Sequence, residues 1–128
     1  MNDNWYKNLI KSPYTPPNTI FSFVWTILYI TIFISFTIII HTTGFSFYKA
    51  IIFFIIQMIL NLLWAPVFFK LRSIWLSLLI IIIMWIFILL TIIEFFKINK
   101  MAGVILLPYL LWVSLATYLN VYIYVFNK

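Results

Sequence analysis

The chain has 128 residues, 66% hydrophobic, 22% aromatic and only 8% charged, with a mean hydropathy of +1.18. A soluble domain carries about 25% charged residues, so this composition excludes a water-coated surface and marks an integral membrane protein of one compact bundle. The formal charge of +6 would suggest nucleic acid in a soluble protein, but the basic residues sit in short connections, where topology and lipid headgroups explain them; the absence of cysteine excludes disulfides, thiolate metal sites and a cysteine nucleophile.

Residues 1–18 are polar and aromatic, and Pro13, Pro16 and Pro17 forbid a regular helix through Pro17. They form an expected interfacial segment with Trp5, Tyr6 and Tyr14 at headgroup level. The first span is predicted over about 19–40, with Thr19 as a candidate N-cap and His41-Thr-Thr-Gly44 as its end. The second runs over about 47–69, where Pro66 should kink or end the helix because it cannot donate to the carbonyl four residues back. The third runs over about 74–96. Its β-branched run Ile80–Ile83 is tolerated as helix because lipid forces every backbone group to pair within the segment. The fourth runs over about 101–126, with Pro108 near its start. These lengths suit membrane helices and not barrel strands.

The expected fold is therefore all-α, an antiparallel bundle of four transmembrane spans in a single domain. Lys7, Lys11, Lys70, Arg72 and Lys128 fall on one side, and Lys49, Lys97 and Lys100 on the other. The positive-inside rule puts the first side, and the C-terminus, in the cytoplasm.

Gln57, Asn61 and Trp64 share one face of the second span at i, i+4 and i+7. Hydrocarbon offers their polar groups no partner, so they must face protein or ligand. On the fourth span, Tyr109, Trp112, Ala116 and Asn120 share a narrow face, and Ala116 leaves a gap between larger groups. Trp25 and Tyr29 share a face of the first span, and Trp75 and Trp85 lie on the third. Converging, these faces would build an aromatic pocket with a few amides, suited to a flat apolar ligand. The alternative is interfacial aromatics plus interhelical packing. Glu94 lies at a span end beside Lys97, where a solvated acid is favoured over a proton relay. His41 is the only histidine, so no metal site is expected. Ser35, Ser77 and Ser114 have no His/Asp partners, and no glycine-rich phosphate loop occurs. No catalytic acid–base or nucleophile set is present. Leu119, Tyr122 and Lys128 satisfy a loose proposed sterol pattern that many helix ends match by chance.

Four ordered stretches resemble the TspO/MBR family of tryptophan-rich sensory and translocator proteins. Trp5-Tyr6-x-x-Leu9-x-Lys11-x-Pro13-x-x-Pro16-Pro17 resembles its WYxxLxKPxWxPP loop, with Ser12 splitting the Lys-Pro pair and Tyr14 in the region of a family Trp. Phe21-x-x-Val24-Trp25-Thr-Ile-Leu-Tyr29 resembles its VWxxLY helix start. Gln57-x-x-x-Asn61-x-x-Trp64-x-Pro66-x-Phe68-Phe69 resembles QLxLNxxWxPxFF, and Pro108-Tyr109-x-x-Trp112-x-x-x-Ala116-Thr117-x-x-Asn120 resembles PYLxWxxxATxLN. The family has five transmembrane helices, and its first precedes the WYxxL loop, so the chain is expected to lack that helix.

The resemblance implies a membrane protein that binds tetrapyrroles such as protoporphyrin IX and haem, or other flat apolar molecules including sterols, for sensing, transport or photooxidative degradation. It implies a homodimer in a bacterial inner membrane, a porphyrin or haem as ligand with no obligatory cofactor, and no nucleic-acid partner. Carried over by position, the ligand-binding residues are Trp25, Tyr29, Gln57, Asn61, Trp64, Trp75, Trp112, Ala116, Leu119 and Asn120, with Trp25 and Trp112 as photochemical candidates. The rival readings are a small proton-coupled multidrug-type transporter and a truncated structural remnant that binds nothing.

Overall fold

The computed structural model describes residues 5, 8–43 and 48–127. Tyr6, Lys7, Gly44, Phe47 and Lys128, which carry some of the expectations above, lie outside the described residues. The order is α1 (Asn18–Thr43), α2 (Tyr48–Ala65), a π turn (Pro66–Lys70), α3 (Ile74–Ile98), α4 (Lys100–Ile105) and α5 (Leu107–Phe126). Among the described residues, four helical stretches are long and apolar enough to cross a membrane, the last being α4 and α5 together.

Helix α1 begins two residues earlier than the Thr19 cap would place it. Its first bond runs from the Phe21 N–H to the Pro17 carbonyl at 3.0 Å, so Thr19 lies inside the first turn and caps nothing. Hydroxyls along the spans donate back to the carbonyl four residues earlier, as Thr26 does to Ser22, Thr37 to Phe33, Thr91 to Phe87 and Thr117 to Val113, at 2.7–2.9 Å. This satisfies each hydroxyl in a medium without water.

Both prolines act through the bond they cannot donate. After Pro66 the helix does not stop. It widens, and the Leu71 N–H reaches back five residues to the Pro66 carbonyl at 3.1 Å. Upstream of Pro108 the fourth span divides. Leu106 turns on a 3.2 Å bond to the Gly103 carbonyl, and Pro108 sits in the first turn of α5, where no donor is needed.

Helix α3 is the central element and packs on α2, α4 and α5. Its buried stripe, Ser77, Ile81, Met84, Ile88, Thr91, Ile92 and Phe95, follows the three-and-four spacing of one helical face. Helix α1 rests mainly on α4, where the Ser35 hydroxyl donates to the Ala102 carbonyl at 2.7 Å. Between α3 and α4 the approach is close. A Cβ on Gly103 would meet Phe96 Cδ2 at 2.6 Å and Phe96 Cα at 3.1 Å. Helices α1 and α2, by contrast, meet through long side chains, including the stacked rings of Phe36 and Phe54 at 4.3 Å.

The N-terminal segment is strapped to the end of α5. The Ile10 N–H donates to Asn127 Oδ1 and Asn127 Nδ2 donates to the Ile10 carbonyl, each at 2.9 Å. Ser12, the residue that splits the Lys-Pro pair, is buried. Its hydroxyl pairs with Tyr118 Oη at 3.0 Å and accepts the Tyr14 N–H at 3.1 Å. Trp5 is not simply a headgroup anchor: its ring lies edge-on to Phe68 at 5.5 Å, with the Arg72 guanidinium 5.9 Å from its centroid.

Candidate functional site: an indole-walled cavity beside a directed amide network

The polar stripe of α2 makes a chain of hydrogen bonds across three helices. Tyr29 Oη on α1 donates to Asn61 Oδ1. Asn61 Nδ2 donates to Tyr109 Oη on α5 at 2.6 Å. Tyr109 Oη donates to Gln57 Oε1 at 2.7 Å, and Gln57 Nε2 donates to the Phe54 carbonyl at 2.9 Å. Every donor points the same way along the chain, an arrangement in which each bond polarises the next. Gln57, Asn61 and Tyr109 are 1%, 6% and 1% exposed, so this part of the network is sealed inside the bundle, while Tyr29 at its head is exposed.

One turn towards the strapped end lies a cavity of about 240 Å³ between α1, α2 and α5. Helix α1 supplies Phe21, Ser22 and Trp25; α2 and its π turn supply Trp64, Ala65, Phe68 and Phe69; α5 supplies Ala116, Leu119, Asn120 and Ile123. Trp64 Nε1 donates to Asn120 Oδ1 at 2.9 Å, which fixes one indole wall. Asn120 Nδ2 has only a long contact, 3.5 Å, to the Ile74 carbonyl. It is the amide donor that the cavity wall presents. Trp25 forms the other indole wall and backs onto the network, with its ring 5.7 Å from Tyr29 and 6.3 Å from Tyr109.

Of the ten positions singled out in the sequence, Trp25, Trp64, Ala116, Leu119 and Asn120 line this cavity. Tyr29, Gln57 and Asn61 stand behind it, occupied by the network. Trp112 packs edge-on against Phe21 at 5.1 Å and faces a separate groove between α1 and α5. Trp75 is 58% exposed in the first turn of α3, a helix that contributes nothing to the cavity wall. Trp75 therefore stands outside this cavity: the rotation of α3 turns its buried stripe, not Trp75, inward.

Sequence reasoning missed Phe21, Ser22, Ala65, Phe68, Phe69 and Ile123 as wall residues and Tyr109 as the hub of the network. Phe21 stands four residues before Trp25, and that spacing was the available signal. Trp85 of α3 is held elsewhere, with Nε1 donating to Ser114 Oγ at 2.8 Å. Glu94 lies at the opposite end of the bundle, paired with Lys97 at 3.1 Å.

A tryptophan-rich sensory protein from Cereibacter sphaeroides is 36% identical over 70 residues. Those residues are 55% of this chain and 43% of the relative, so the match spans less than half of that protein's length. The TspO/MBR family model matches residues 1–125, nearly the whole sequence. Four membrane-spanning helices, an interhelical amide network and a family match of this extent agree: the chain is an integral membrane protein of the TspO/MBR family.

Proposed function

We propose that this protein binds a tetrapyrrole, protoporphyrin IX or haem, in the membrane, for sensing, transport or photooxidative degradation. The observation that carries the reading is the cavity wall. Two indoles, Trp25 and Trp64, and the phenyl rings of Phe21, Phe68 and Phe69 surround a space into which Asn120 brings a single amide. Flat apolar rings stack on such walls, and a lone polar group at the edge fixes orientation. A sterol lacks a π face and would use less of this wall. The Gln57–Asn61 stripe supports the reading indirectly, because its polar groups are consumed in holding α1, α2 and α5 around the cavity.

Photochemistry, where it occurs, needs no acid–base pair from the protein. The excited ligand supplies the reactivity, and an indole in contact with it is the oxidisable group. Trp25 is in the wall and Trp112 lies one ring behind it, past Phe21. The proposed setting is a bacterial inner membrane with the strapped end and the C-terminus cytoplasmic, and a homodimer as the assembly. The reading is tested by titrating protoporphyrin IX into purified protein in the dark and following tryptophan fluorescence. Saturable quenching at micromolar or tighter concentrations, weakened in Trp25→Phe, is expected. Protein shown to be helical and monodisperse that gives no saturable quenching would overturn it.

A further inference from the structure

Among the described residues, Arg72 is the non-glycine residue held at positive φ, 56°. It follows Leu71, which caps the π turn, and so takes the left-handed position at a helix end that glycine or asparagine usually fills. A side chain with a Cβ is disfavoured in that conformation. An arginine kept there points to a use for its side chain that glycine could not serve.

That side chain leads back to the cavity. The guanidinium carbon lies 5.9 Å from the centroid of the Trp5 ring, and the Trp5 ring lies edge-on to Phe68 at 5.5 Å. Phe68 and Phe69 are wall residues, so one indole stands between the guanidinium and the wall. Lys70 follows Phe69 directly and is exposed. Among the described residues this end of the bundle carries Lys11, Lys70 and Arg72 and no carboxylate, since Glu94 lies at the opposite end. The cavity itself, about 240 Å³, is smaller than ordinary ligand pockets, which run to roughly 300–1,000 Å³, so a macrocycle extends beyond it. The buried amides close the side towards the membrane middle. At the strapped end the wall rings give way to cations.

We propose that Arg72, with Lys70 beside it, is the anion-binding pole of the ligand site. It takes an ionised carboxylate on the edge of a flat ligand whose apolar body the indole wall holds, with Trp5 as the ring between. This rests on the tetrapyrrole reading and deepens it. Protoporphyrin IX carries its propionate carboxylates along one edge, and the opposite edge, with its vinyl groups, is the part that suits the cavity. A planar guanidinium meets a carboxylate with paired donors, which a lysine cannot do. A lipid phosphate would offer Arg72 the same anionic oxygens, and the test separates the two.

The test compares protoporphyrin IX with its dimethyl ester, which has the same ring and no charge. Both are titrated in the dark into protein in a neutral detergent, following tryptophan fluorescence. The proteins are the wild type, Arg72→Gln, Arg72→Gly and Lys70→Gln. The wild type should bind the acid roughly tenfold more tightly than the ester, and added salt should shrink the difference. Arg72→Gln should lose most of the preference by weakening the acid alone, and Lys70→Gln should lose less. Arg72→Gly should behave as Arg72→Gln does while keeping its unfolding midpoint, because glycine suits the left-handed position. Equal binding of acid and ester by the wild type would leave Arg72 to headgroup phosphates, which neutral detergent lacks. It would overturn the proposal while the tetrapyrrole reading stands. A preference that survives both Arg72 variants would place charge recognition elsewhere, and an equal loss of both probes in Arg72→Gln would make the arginine merely structural; either overturns the proposal. Saturable binding of neither probe would remove the tetrapyrrole reading and this pole with it.

Discussion

The Trp64 indole on α2 and the Asn120 amide on α5 are joined by a 2.9 Å hydrogen bond at the cavity wall. The bond crosses between two transmembrane helices, where such interactions average about 0.6 kcal/mol and reach about 1.7 kcal/mol. Trp64→Phe and Asn120→Leu should therefore show a coupling of that order in a double-mutant cycle of detergent-denaturant unfolding. Strictly additive effects would mean the bond contributes nothing to holding the wall. In the binding assay Asn120→Leu should also weaken protoporphyrin IX, because it removes the amide donor presented there.

Tyr109 has the most to lose of any network member. Its hydroxyl both accepts from Asn61 and donates to Gln57, and removing it leaves two buried amides short of a partner. Tyr109→Phe should destabilise the bundle by about 1–3 kcal/mol. Tyr29→Phe removes one bond at a position that is partly exposed and should cost less. The order of the two unfolding midpoints is the check; equal midpoints would show that the relay has no hub.

Gly103→Ala places a methyl group 2.6 Å from a ring carbon of Phe96 and 3.1 Å from its Cα. The ring is partly exposed and can swing away, but the backbone cannot. Overpacking of this kind costs about 1–3 kcal/mol. Phe96→Ala in the same chain should recover only part of that loss, as seen by thermal denaturation of the two variants side by side.

Asn127→Ala removes both clasps on Ile10, which are 117 residues away in sequence. The clasps are exposed, so global stability should change by less than about 1.5 kcal/mol. The local effect should be larger. Amide exchange at Ile10 and proteolysis within 8–17 should quicken several-fold, while protection of α3 is unchanged. Equal exchange in both proteins would show that the strap is held by Ser12 and Tyr118 alone.

Glu94→Gln should leave ligand binding unaltered and shift stability by less than about 1 kcal/mol, since its partner Lys97 is exposed and surface pairs contribute little. Loss of proton-coupled transport in this variant would instead support a transporter.

The spans were legible because lipid leaves apolar chain one regular option. The predicted 19–40, 47–69, 74–96 and 101–126 correspond closely to the helical stretches observed. Proline effects were legible as events but not as shapes. Pro66 announced a disturbance, yet whether a helix ends or widens depends on which carbonyl the next free N–H can reach. Pro108 acts upstream of itself, so the break at Leu106 does not coincide with the residue that causes it. Within the site, positions on α2 and α5 could be read because polar groups mark the inward face. On α3 only Ser77 and Thr91 mark it, and these small hydroxyls can satisfy themselves on their own helix. Nothing strong in the local sequence told which way Trp75 would turn, and it turned out. The Asn127–Ile10 clasp joins the two ends of the chain and has no local signature at all.

The π turn at Pro66–Lys70 has a consequence for how this helix tolerates length change. It holds one residue more than an α-helical path between the same ends and winds less per residue, so Phe68 and Phe69 are aimed differently from a straight continuation of α2. Deleting Val67 would let the helix relax to ordinary winding without moving its ends apart. Phe68 and Phe69 would be re-aimed relative to Trp64, and the cavity would lose two rings of its wall. A shorter chain that is better wound and worse at holding a ligand is what this geometry predicts, and it makes the surplus residue a candidate for a feature kept for shape at the expense of helical regularity.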